Sequence, residues 1–283
     1  MTSTTNKTNY NLSHKRMMAL SDQAAYYADT YCPAPSPVYP HIIAEALRLS
    51  YTLNDYGNSF DGYLENKHGN FHAFLHGKGP DNLQSPRVRF SFAHELAHYI
   101  LDEHRNALQN PSTPSHGSAA PSDSHFEVER EADLFAACLL MPEDRIRKDL
   151  LSKKLRKPCI ASLITEISLK YQVSFTAAML RLLHLDYYPV MIVCSQHNKL
   201  KWLRYSEDFP FRSLHLGPEN QMPELTCAGE YFADGTKYPG KTETVYAEDW
   251  FIIYNNSDRR RELKEYCIYQ ESLNQVMSLI WES

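Results

Sequence analysis

The chain has 283 residues, of which 43% are hydrophobic, and a net charge of −5. That length suits one large domain or two modest ones with a buried core, and the negative balance argues against wholesale nucleic-acid binding. No apolar run nears membrane-spanning length, the longest being LFAACLLM (134–141) and YYPVMIVC (187–194). The polar opening MTSTTNKTNYNLSHKRMM predicts no signal peptide. Six scattered cysteines without C-x-x-C spacing read as reduced thiols of the cytoplasm.

In chain order, residues 13–31 and 40–49 read as helices on either side of the breaker CPAPSPVYP. SYTLNDY, SFDGYLEN and FHAFLHG read as strands, parted by the turn signals DYGNS and NKHGN. VRFSFAHELAHYILDEH (88–104) reads as a helix. Residues 105–125, rich in Ser, Pro, Ala and Asn, read as a mobile loop. A second long helix, FEVEREADLFAACLLM, is stopped by Pro142, and 143–185 is helical. From Pro189 strand patterns return in VMIVCS, LKWLRYS, TVYAEDWFIIY and YCIYQ, with a helix expected to close the chain. No internal repeat is evident.

The stretch SFAHELAHYI (91–100) carries the first chemistry. Positions i and i+4 of a helix lie about 40° apart on one face, so His94 and His98 can aim imidazole nitrogens at one ion. Glu95 is badly placed to ligate but well placed to take a proton from a water beside that ion. The motif alone does not decide the matter: among 13 histidines it arises by chance with a probability on the order of a few per cent. Two ligands are also too few, because catalytic zinc takes three protein ligands and keeps one position open.

Two sources for a third ligand are legible. His104 has metzincin spacing, but Leu101 stands where that pattern has its turning glycine, and on a continuous helix His104 would face away, about 240° round from His98. The alternative is the acidic start of the helix after the loop. There Glu129 and Asp133 share one face, and Glu127 and Glu131 another. A carboxylate ligand followed one turn later by a carboxylate that fixes a histidine tautomer makes chemical sense. Acids favouring the helix dipole would explain the charge but not the spacing.

RFSFAHELAHYIL followed by EREADLFAACLLMP resembles the ImmA/IrrE family of metallo-endopeptidases, with weaker likeness across about residues 40–186. The resemblance implies His94, His98 and Glu129 as metal ligands, Glu95 as catalytic acid/base and Asp133 behind the ligands. It implies Zn2+ as the metal, with Mn2+ or another divalent ion as the alternative. The fold implied is α+β: a zincin-like metallopeptidase domain over 1–142, a helical, helix-turn-helix-like segment over 143–186, and a smaller mixed, β-rich C-terminal domain over 187–283, for sensing or substrate docking. The function implied is a cytoplasmic regulatory endopeptidase that cleaves a helix-turn-helix transcriptional repressor. The alternative is a DNA- or protein-binding regulator or sensor whose metal site is structural or vestigial.

Other features read as framework. The second helix of SLITEISLKYQVSFTAAMLRLLHL offers mainly Arg181 and His184 to a partner, so packing is favoured over direct DNA binding. The basic run 145–158 reads as a solvated helix face. Trp202, Tyr205, Tyr246, Trp250, Phe251 and Tyr254 lie at strand spacing, which suits a core better than a ligand module. For the oxyanion, Tyr99 and His125 are the candidates.

Overall fold

The computed structural model describes residues 12–57, 59–109, 123–152 and 159–282. They divide between two compact units, one taking in the stretches 10–155 and 165–181, the other 156–164 and 182–283. The fold is α+β, with two sheets and a β-rich C-terminal region.

In the first unit, α1 (His14–Tyr31) starts at Ser13, whose side chain accepts the Arg16 N–H, and buries Leu20, Ala24 and Ala28 at fourfold spacing. After α2 (Pro40–Ala46) come β1 (Ser50–Asn54), β2 (Gly62–Lys67) and β3 (Asn70–His76). They form a three-stranded sheet in the order β1-β3-β2, with β1 parallel and β2 antiparallel to the central β3. α3 (Pro86–Ile100) packs on β2 and β3. Ser85 caps it by accepting the Val88 N–H, and Pro86 occupies its first turn, where no donor is lost.

α3 ends earlier than its sequence predicts. Leu101 leaves the helix in an extended conformation (φ −72°, ψ 116°), a geometry open to any residue. The chain turns there into α4 (Asp102–Gln109). The expected loop over 105–125 is correspondingly narrower: α4 runs to Gln109, α5 (Asp123–Leu140) starts at Asp123, and 110–122 lie outside the described residues. α5 packs on both α1 and α3, burying Ala132, Phe135, Ala136 and Leu139 completely. Arg89 is also buried and ties α3 to distant backbone. Its guanidinium donates to the carbonyls of Val38 (2.5 Å), Tyr171 (2.9 Å) and Gln172.

After Pro142 come α6 (Glu143–Ser152), α7 (Ile160–Tyr171) and α8 (Phe175–Leu185). Two cations of this region are committed to the framework. Arg145 donates to Asp29 and to the carbonyls of Cys32 and Ser36. Arg181 is buried, with its Nε on the Met141 carbonyl at 3.1 Å, so it is not presented to a nucleic acid. Residues 153–158 of the basic run lie outside the described residues.

The second unit is a five-stranded antiparallel sheet. Its strands are β4 (Val190–Gln196), β5 (Lys199–Tyr205), β6 (Thr242–Tyr246), β7 (Glu262–Gln270) and β8 (Gln275–Glu282), in the order β5-β4-β8-β7-β6. Two sequence expectations need correction. The closing segment is the central strand β8 rather than a helix; flanked by β4 and β7, it is buried from Gln275 to Trp281 and loses the alternation that marks a strand. TVYAEDWFIIY is not one strand either: β6 stops at Tyr246, and the Asp249 side chain accepts the Tyr246 N–H to start the single turn α10 (Ala247–Trp250). Trp250 and Phe251 fill the core, whereas Tyr246 and Tyr254 are exposed. α9 (Cys227–Asp234), capped by Thr226, was not legible in the sequence.

Candidate metal centre

The period of α3 puts His94 and His98 on the side that meets α5, and the period of α5 puts Glu129 and Asp133 on the side that meets α3. His94 Nε2 lies 3.1 Å from His98 Nε2 and 3.1 Å from Glu129 Oε2, and His98 Nε2 is 3.7 Å from Glu129 Oε1. His94, His98 and Glu129 thus bring one ligand atom each within 4.8 Å of the others. Ligand atoms on one tetrahedral zinc, with bonds of 2.0–2.1 Å, would stand roughly 3.3 Å apart, so the spacing fits.

The chemistry of the set fits as well. His94 Nδ1 is 2.9 Å from Asp133 Oδ1. A carboxylate there holds the proton on Nδ1 and leaves the Nε2 electron pair facing Glu129. Electron pairs that face one another call for a cation between them. The charge around His94 points the same way. Burial by itself would lower the imidazole pKa, but hydrogen bonds to Asp133 and Glu129 and the charge of Glu95 raise it to about 10. A divalent ion would take the place of the proton on Nε2 and release it.

Glu95 is buried beside the first residue of β2. A Cβ on Gly62 would stand 2.6 Å from Glu95 Oε1, so a side chain there would displace the carboxylate from this position.

His104 does not face away. The turn at Leu101 swings it behind His98, where its Nδ1 lies 3.2 Å from His98 Nδ1 and its Nε2 lies 3.0 Å from Glu131 Oε2. It therefore sits against the side of His98 opposite Glu129. Glu131 is gripped by Arg16 of α1 through Nε (2.7 Å) and Nη2 (2.6 Å). Burial would raise the Glu131 carboxyl pKa; the hydrogen bonds from His104 and Arg16 outweigh it and hold the group at about 2. His104 was weighed in the sequence as a ligand only, and Arg16 carried no signal at all, being 115 residues from its partner.

Of the oxyanion candidates, Tyr99 is engaged in the framework: its hydroxyl donates to the Leu47 carbonyl and its ring packs edge-on against Phe71. The His125 side chain lies outside the described residues.

A second group with ligand chemistry is Cys227, Glu265 and Cys267 in the β-rich unit. Its carboxylate is fully buried and met by four donors. Glu265 Oε1 accepts from Ser278 Oγ (2.8 Å) and Cys267 Sγ (3.2 Å), and Oε2 from the Cys227 N–H and Trp250 Nε1 (3.0 Å each). Burial, Cys227 and the charge of Glu265 keep the Cys267 thiol well above its usual pKa, the mark of an inert structural cysteine. This group pins α9 and α10 to β7 and β8.

Residues 80–183 match the family described as peptidase M78, IrrE N-terminal-like domain. No curated protein matches the chain. Among solved structures the chain is similar to a Mycobacterium tuberculosis transcriptional regulator, with 12% identity and a TM-score of 0.56 over 96% of this chain and 78% of that one. At that identity the likeness concerns the fold. Among the described residues, no helix is long and apolar enough to cross a membrane.

Proposed function

Through residues 80–183 the chain belongs to the ImmA/IrrE family, and on that premise we propose that it is a zinc-dependent endopeptidase. The observation that carries this reading is the convergence of His94, His98 and Glu129, with Asp133 behind one ligand and the buried acid Glu95 next to His94 in the chain. A bound divalent ion, Zn2+ or in its place Mn2+, supplies Lewis acidity and makes water a nucleophile near neutral pH. The chain's own residues do the rest. Asp133 holds the His94 proton on Nδ1 so that Nε2 can ligate. Glu95 takes a proton from the attacking water and returns it to the departing amine. Gly62 leaves that carboxylate its space.

The substrate we assign is a helix-turn-helix repressor, cleaved as a regulatory step. This rests on the family resemblance. The rival is a regulator that binds its partner without cutting it. Comparing new protein N-termini in cells expressing wild type or Glu95→Gln separates the two without prior choice of substrate. Endopeptidase action predicts fragments in the wild-type cells alone, while the purified variant retains its ion. Identical N-terminal profiles from two ion-loaded proteins would favour the binding regulator.

A further inference from the structure

We infer that His104, Glu131 and Arg16 form a positioning chain that fixes the tautomer and orientation of the metal ligand His98. The inference rests on the metal-site reading above and deepens it. If His98 donates its Nε2 electron pair toward His94 and Glu129, its own proton must sit on Nδ1. That nitrogen lies 3.2 Å from His104 Nδ1. Two imidazole nitrogens at that distance form a hydrogen bond only when one of them carries a proton. His98 supplies it, so His104 Nδ1 accepts. The His104 proton is then on Nε2, 3.0 Å from Glu131 Oε2, which can only accept. Glu131 is held in turn by two hydrogen bonds from Arg16, a paired geometry that fixes a carboxylate in direction as well as charge. Each link requires the orientation of the next, and one assignment satisfies all of them.

The two ligand histidines are thus supported differently. His94 is backed by a carboxylate in direct contact, Asp133, on the same helix as the third ligand. His98 is backed at one remove, through a second imidazole, by Glu131, a carboxylate also on α5 that Arg16 of α1 holds. The turn at Leu101 makes this possible, because a continuous helix would carry His104 to the far side. With His98 and His104 both almost fully buried, water is poorly placed to replace the missing partner.

The test uses the full chain and zinc. His104→Phe keeps a buried ring and removes both hydrogen bonds. His104→Gln keeps an acceptor for His98 and a donor for Glu131. Zinc affinity is measured by chelator competition, and side-chain 1H–15N spectra of the zinc-loaded protein report the tautomers. The expected result is a roughly 10–100-fold loss of affinity in His104→Phe, recovery of much of it in His104→Gln, and wild-type spectra with His98 protonated on Nδ1 and His104 on Nε2. Wild-type affinity in a folded His104→Phe, or a His104 proton on Nδ1, would overturn the inference. If His104→Phe fails to fold, the spectra and Glu131→Gln, with an expected loss of several-fold, decide instead. His94→Ala separates the two levels. If it loses zinc while His104→Phe does not, only the positioning chain falls; if it binds zinc like wild type, the metal site falls and the chain with it.

Discussion

Two triads among the described residues have the residue types of a metal site and comparable spacing, yet they are opposite in kind. In His94–His98–Glu129, nitrogen and oxygen acceptors face one another, and the histidine protons are drawn to the outside by Asp133 and His104. In Cys227–Glu265–Cys267, every carboxylate lone-pair direction meets a donor. The first group could hold a cation; the second already has a donor for each acceptor. Residue type and distance do not separate a site from a structural pin, whereas donor and acceptor balance does.

The contrast is easiest to break with metal analysis. His94→Ala should lose zinc by more than the roughly 10–100-fold typical of outer partners, while Cys267→Ser should bind as wild type. Zinc lost from Cys267→Ser instead would erase the distinction. Stability sharpens the other half. Glu265→Ala strands the Trp250, Ser278 and Cys227 donors in the core and should cost on the order of 3 kcal/mol or more in chemical denaturation, with no response to added zinc.

Gly62→Ala probes the space around Glu95. The added methyl group meets Glu95 Oε1, so cleavage should slow by about tenfold from misplacement of the base, with zinc affinity unchanged in the same preparation. A variant as fast as wild type would mean that the carboxylate works from another position. The smallest effect concerns acid. Glu131 is held at about 2 against an ordinary 4.5, so its contribution to stability is present above about pH 4.5 and fades as pH falls toward 2. The stability gap between wild type and Glu131→Gln should narrow over that window, and a gap that widened would contradict the pairing with His104 and Arg16.

What could be read in advance was whatever a single helix encodes. The spacing of His94 and His98, and of Glu129 and Asp133, follows from one period, and the structure brings those residues together. His104 was misjudged because its position depends on whether the helix breaks at Leu101, and glycine is only one way to break a helix. Arg16 was invisible because its partner is fixed by the packing of α1 on α5. β8 was mistaken for a helix because a strand with neighbours on both edges and cover on both faces has no polar side to show. Tyr99 shows the reverse error: a hydroxyl near a motif can be spent on the framework.

Arg89 ties the helix of the candidate ligands to a distant turn. It lies five residues before the first ligand histidine, yet its guanidinium is received by carbonyls of Tyr171 and Gln172, 82 and 83 residues further on. The seat of α3, and with it the placement of His94 and His98, therefore draws on backbone that the turn after α7 contributes.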